Sequence, residues 1–201
     1  MTVYRSRHAL AGPLTPNRIA ALRIPIARKG YRPEDVDALL HRLAFELQRR
    51  QLLSAVLMWG YGPIGYGPWR AARSLEGDPD GKRLAHALEG LRAPAPDEDA
   101  LPTAYQRLRD PEEARLPRLG PAFFTKLLYF AGYRRGAPGR QPLILDSVVR
   151  RRLPVDAGVR RESGWVSEEW LAYLRWAADQ AHRRGIEPDE VEMALFHDRW
   201  A

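Results

Sequence analysis

The chain has 201 residues, 45% hydrophobic and 28% charged, a make-up that suits one domain or two small lobes around a real core. With no cysteine it excludes disulfides, thiolate zinc sites, iron–sulfur clusters and a cysteine nucleophile. No apolar run approaches the roughly 18–20 residues of a membrane span, and the first residues, MTVYRSRHALAGPLTP, lack the apolar stretch of a secretory signal, so a cytoplasmic location is the default.

The net charge of +7 is unevenly spread, and the elements follow it in chain order. Residues 1–32 carry +7 with no acidic side chain and hold Pro13, Pro16 and Pro25, which predicts an irregular basic arm packing on the domain. Residues 33–100 carry −3. There Val36, Leu39, Leu40, Leu43 and Leu47 form a helical stripe from Pro33 onward, and a second apolar helix is expected over 51–59. Short helices are expected at 69–76 and 82–91. The stretch APAPDEDALP, 93–102, reads as a loop and as the boundary between lobes.

Residues 101–161 carry +8 and residues 162–201 carry −5, so one face is suited to a polyanion. Helices are expected near 103–108, 111–116, 121–131 and 146–153. Ser167 is placed as the cap of a long amphipathic helix with Glu168 and Glu169 in its first turn, a stripe of Trp170, Leu171, Leu174, Ala177, Ala178 and Ala181, and Gly185 as its stop. Pro188 opens the last helix, to about Trp200. Period-2 strands are absent. The fold class expected is all-α, a two-lobed helical bundle.

Chemistry concentrates in 116–153, LPRLGPAFFTKLLYFAGYRRGAPGRQPLILDSVVRRRL. Leu116 to Pro121 forms a tight turn in which Gly120 is free to take positive φ and Pro121 suits the first position of the next helix. Backbone N–H groups at such a turn, with a helix N-terminus, can hold a phosphate; equally, such joints simply connect helices. The chain uses 29 arginines and three lysines, Lys29, Lys82 and Lys126. Only a lysine amine can lose its proton and act as a nucleophile. Lys126 lies in a helix apolar nearly all round, where burial disfavours the ammonium and favours attack on an aldehyde-like carbon. The competing expectation is that it snorkels to the surface along its alkyl stem. Asp146 follows the apolar run 142–145 and stands at a helix start, either as an ordinary N-cap or as a carboxylate able to stabilise a cation, roles that are compatible.

A Leu-Gly hairpin over 111–131, a lysine in its second helix, a Gly/Pro loop and an aspartate at the next helix start together resemble the helix–hairpin–helix DNA glycosylase superfamily. More narrowly, the chain looks like bacterial 8-oxoguanine-DNA-glycosylase-like proteins. The specific match covers 116–153, with looser agreement in the helical layout of 33–200. Lys126 lies six residues after Gly120, closer to the archaeal arrangement of such enzymes, and Gly-Pro stands where many members have a second glycine. The resemblance implies a cleft between two lobes and a nucleotide flipped out of double-stranded DNA. It further implies that Asp146 stabilises the sugar cation and that Lys126 attacks C1′ as a Schiff-base lyase. It places Arg118, Leu119, Gly120, Arg150, Arg151 and Arg152 on the DNA, with a solvated basic face as the alternative for each arginine. It implies a monomer and no cofactor, apart from a monovalent cation at the hairpin.

The base pocket is placed in WGYGPIGYGPW, 59–69, where Trp59, Tyr61, Tyr66 and Trp69 alternate with glycines; core packing is the competing role for each ring. Phe196 and Trp200 are further candidates to line the cleft. The five histidines, His8, His41, His86, His182 and His197, have no metal-ligand spacing and are expected to be structural or superficial. The leading expectation is a DNA N-glycosylase acting on 8-oxoguanine in repair. Its alternatives are a defence glycosylase removing a hypermodified base such as glucosylated hydroxymethylcytosine from phage DNA, a non-catalytic DNA-binding hairpin module, and a helical protein binding acidic partners.

Overall fold

The computed structural model describes residues 49–61, 66–91 and 99–200. The predicted basic arm 1–32, the stripe Val36–Leu47, Gly62, Gly65, His8, His41 and most of the 93–102 loop lie outside the described residues. The chain divides into two compact units, residues 1–81 and 82–201. Among the described residues there is no strand; all regular structure is helical. None of these helices is long and apolar enough to cross a membrane.

In the first unit, α1 (Arg49–Tyr61) packs against α2 (Tyr66–Glu76). Leu52, Leu53, Val56 and Leu57 of α1 are buried, as the apolar run predicts. Gly67 makes the close approach possible, since a Cβ there would stand 2.9 Å from Met58 Cα.

The second unit holds α3 (Lys82–Ala87), α4 (Ala100–Arg109), α5 (Pro121–Gly132), α6 (Ser147–Arg152), a 3₁₀ turn (Val155–Ala157), α7 (Ser167–Arg184) and α8 (Pro188–Phe196). Tyr105 of α4 centres its core. Its ring meets Phe124 edge-on at 4.8 Å and stacks on Trp170 at 5.0 Å, and its hydroxyl donates to the Trp165 carbonyl at 2.7 Å. Aromatic pairs of this geometry add about 0.5–1.5 kcal/mol each beyond their buried area.

Four local expectations are corrected. The helix expected at 111–116 is a set of turns. Pro117 pushes Leu116 toward extended backbone and stops any helical run there. The Asp110 carboxylate accepts the Glu112 N–H at 2.8 Å and its carbonyl accepts the Arg115 N–H at 3.0 Å, folding the segment back on itself. Gly120 does not take positive φ; it is extended (φ −87°, ψ 175°), and the left-handed residue of the turn is Arg118 at φ 61°. The cap of α7 is Val166, with Ser167 the first residue inside the helix. The last helix ends at Phe196 rather than near Trp200.

Glu169 replaces serine at the head of α7. Its carboxylate accepts the N–H groups of Arg160, Arg161 and Val166 at 3.0, 3.0 and 3.2 Å, and the Arg161 guanidinium at 2.8 Å. Burial pushes its pKa up, but these donors outweigh burial and hold it down at about 2. The folded value lies below the ordinary 4.5, so this stabilisation is complete above about pH 4.5 and is lost as pH falls toward 2. Glu169→Gln is expected to cost about 2 kcal/mol at neutral pH. The gap between the two proteins should close in melting curves taken from pH 5 down to pH 2; parallel curves would contradict this role.

Candidate active site

Gly120 caps α5 and Pro121, which has no N–H of its own, opens it; the Phe123 and Phe124 N–H groups donate to the Gly120 carbonyl at 2.9 and 3.0 Å. Around Gly120 a Cβ would meet nothing within 4 Å, leaving the backbone open to approach. From Phe124 to Phe130 every side chain of α5 is buried, Lys126 included at 5% exposure. The lysine does not snorkel. It turns inward to a carboxylate.

That carboxylate is carried by an extended segment, 142–146, which runs buried between helices. Its backbone groups find partners on three of them. Leu145 N–H donates to Thr125 Oγ1 on α5 at 3.1 Å, and Ile144 N–H donates to Glu192 Oε2 on α8 at 2.7 Å. The Leu143 carbonyl accepts the Trp170 indole N–H from α7 at 2.9 Å. The Thr125 hydroxyl donates in turn to the Pro121 carbonyl at 2.9 Å. Buried backbone groups are costly unless paired, so these three anchors fix the segment and deliver Asp146 to one place.

Asp146 caps α6. Its Oδ1 accepts the N–H groups of Val148 and Val149 at 3.0 and 3.1 Å, which frees Oδ2 to meet Lys126 Nζ at 2.5 Å. The side chains are 7% exposed for lysine and 15% for aspartate, so the pair is largely shielded from water. Burial pushes the Asp146 pKa up, yet the Lys126 charge and hydrogen bond together with the two N–H groups prevail and lower it. Asp146 is therefore a carboxylate at neutral pH. An ionised carboxylate fixed beside an amine can stabilise a cation next to it while the amine supplies a nucleophile.

The arginines on either side divide by partner. Arg118 is exposed in the turn, and Leu119 beside it is buried, so at 119 only the backbone can face a ligand. Arg150 donates to the Arg161 and Arg160 carbonyls at 2.7 and 3.1 Å and pairs with Glu162, bracing the loop after α6. Arg152 donates to the Leu195 carbonyl at 2.9 Å and to that of Phe196, closing the end of α8. Arg151 is exposed.

In the first unit the predicted aromatics form a surface cluster. Tyr66 and Trp69 are 44% and 40% exposed with ring centres 5.0 Å apart, Tyr61 meets Tyr66 edge-on at 5.7 Å, and the Arg70 guanidinium lies 5.6 Å from the Tyr61 ring. Trp59 is half-buried on α1. In the second unit Phe196 is exposed, Trp200 packs on Trp176, and His86 pairs at the surface with Glu113.

Sequence reasoning missed Thr125, Glu192 and Tyr173, which is wholly buried on α7. A threonine inside an otherwise apolar helix, and a glutamate flanked by Val191 and Met193, are the signals that mark the first two. A tyrosine in an amphipathic stripe carries no such mark.

A family model described as "Putative 8-oxoguanine DNA glycosylase OGG-like protein" matches residues 25–196. No curated protein and no solved structure matches the chain.

Proposed function

The chain belongs to this family of OGG-like proteins, and on that premise we propose that it excises a modified base, 8-oxoguanine first, from duplex DNA and then cleaves the strand as a lyase. The observation that carries the reading is the 2.5 Å contact between a buried lysine and an ionised aspartate at a helix start.

In this reading the target nucleotide is flipped out of the stack so that its C1′ stands beside the pair. As the bond from C1′ to the base breaks, its electrons leave with the base and positive charge builds on the sugar. Asp146 stabilises that charge across a short distance in a site shielded from water. Lys126 attacks C1′ as the neutral amine, its proton leaving with the departing base, while Asp146 stays ionised. The sugar ring opens to a protonated imine, and loss of a C2′ proton expels the 3′ phosphate. No cofactor enters these steps.

The open backbone at Gly120, the α5 N-terminus, Arg118 and Arg151 are the proposed phosphate contacts. Arg150 and Arg152 support the site by bracing the chain around α6. The exposed Tyr66 and Trp69 rings offer faces on which bases stack.

The test is base release from duplexes carrying 8-oxoguanine, an alkylated purine or glucosylated hydroxymethylcytosine, each beside an unmodified control. Release of 8-oxoguanine ahead of the others is expected. Preference for the glucosylated base would redirect the reading to phage defence. Binding that weakens with salt but releases nothing from any duplex would reduce the protein to a DNA-binding module.

A further inference from the structure

Lys126 cannot both hold Asp146 and attack a sugar. When Nζ leaves for C1′, the ion pair no longer fixes the carboxylate. The Val148 and Val149 N–H groups on Oδ1 belong to the helix that Asp146 itself caps, so they move with it. Another tie must keep the carboxylate at its distance from the helix that carries the nucleophile.

Thr125 supplies that tie. It is wholly buried beside Lys126, and its Oγ1 accepts the N–H of Leu145, beside Asp146, at 3.1 Å. The same oxygen lies 2.9 Å from the Pro121 carbonyl and 3.2 Å from the Leu145 carbonyl, so its single hydrogen has an acceptor on either side. The other two anchors of the segment, Glu192 and Trp170, belong to α8 and α7 and hold Ile144 and Leu143. Of the three, Thr125 is the one that ties the segment to α5. At the far end of α5 the two stretches are also close, since a Cβ at Gly132 would stand 3.4 Å from Pro142 Cγ. The segment therefore runs back along α5, with 142 beside 132 and 145 beside 125, and its tie to that helix falls one residue short of the reacting pair.

We propose that Thr125 is a positioning residue that sets the spacing between Lys126 and Asp146 and keeps the carboxylate in place while the lysine is engaged at the sugar. The inference rests on the reading of those two residues as the reacting pair. It gives Thr125 a share in base loss, where Asp146 must face the growing charge. It gives it little share in imine formation on a sugar that has already lost its base, where the amine alone makes the bond.

Two variants separate the hydroxyl from the shape of the side chain. Thr125→Val keeps the shape and removes the hydroxyl; Thr125→Ser keeps the hydroxyl and removes the methyl group. In single-turnover base release from the best duplex substrate, each variant being read well below its melting temperature, Thr125→Val is expected to be about tenfold slower or more with unchanged DNA affinity. Borohydride capture on DNA with an abasic site should keep nearly its full rate, and Thr125→Ser should restore base release. Loss of both reactions by the same factor would show a merely structural role and overturn the proposal. Full base release in Thr125→Val would do the same, as would failure of Thr125→Ser to restore it.

Titration of the Asp146 carboxyl by NMR reads the spacing without any substrate. Its lowered pKa should relax upward in Thr125→Val, where the Lys126 charge sits less closely, and return in Thr125→Ser. The groups that bear on this titration are Lys126 on α5, Glu192 on α8 and Tyr173 on α7, none of which either variant alters. An unmoved Asp146 pKa in Thr125→Val would count against the proposal. If the unsubstituted protein neither releases base nor is captured while the titration shifts as expected, the tie through Thr125 stands and the fault lies with the proposed function.

Discussion

Lys126→Arg is expected to abolish covalent capture of the protein by borohydride on DNA containing an abasic site. Arginine keeps a positive charge opposite Asp146 Oδ2, so the pair that fills this buried position survives in kind. What disappears is the amine that can lose a proton and bond to C1′. Loss of a nucleophile removes a whole reaction route, so strand cleavage should fall by about a thousandfold or more. The larger guanidinium will strain a packed helix at a cost of roughly 1–3 kcal/mol, which a melting curve reads separately. A variant that still traps would refute the lysine assignment. Base release that persists in the variant while trapping is lost would leave a glycosylase that uses water in place of the imine.

Asp146→Asn is expected to suppress base release itself, by about 10²–10³-fold, the range seen when a preorganised charge-stabilising group is removed. Asparagine remains a good N-cap, so the bonds to Val148 and Val149 should persist and α6 should hold. The Lys126 ammonium, however, is left buried without its counter-charge, a loss worth about 3–5 kcal/mol. Stability and activity therefore fall together, and a double variant separates them. Lys126→Met combined with Asp146→Asn removes both charges, so much of the melting temperature should return while base release stays absent. Recovery of activity with stability would mean that the pair serves folding alone. The carboxylate's lowered pKa adds a second sign. The ion pair stabilises the fold above the ordinary carboxylate range and fails only as pH drops below it, so neutral-pH chemistry starts with Asp146 charged.

Both predictions concern residues legible in the sequence, for different reasons. Lys126 was marked by contrast: one lysine among many arginines, in a helix with hardly a polar neighbour. Asp146 was marked by position, after an apolar run and before a helix, and the structure places it as that helix's cap. Local patterns of this kind survive folding because they depend on residues adjacent in the chain. The same is true of the long helix closed by Gly185, which takes the left-handed conformation expected of it at φ 65°.

Turn geometry was less legible. Either Gly120 or its neighbours can reverse the chain, and the choice of Arg118 for positive φ depends on where the flanking segments must go. Likewise the fate of each arginine was open. Arg150 and Arg152 share a helix with Arg151, yet two of them close carbonyls on distant segments while the third stays at the surface.

Sequence alone determined an all-helical chain, a single lysine in an apolar helix, an aspartate at a helix start and a basic stretch around both, because helical periodicity, capping and charge are properties of neighbouring residues. Only the tertiary structure decided that Nζ and Oδ2 meet at 2.5 Å and that Thr125, Glu192 and Trp170 hold the segment bearing Asp146. These partners come from helices twenty to fifty residues away in the chain, and no local pattern encodes which side chain will satisfy which buried backbone group.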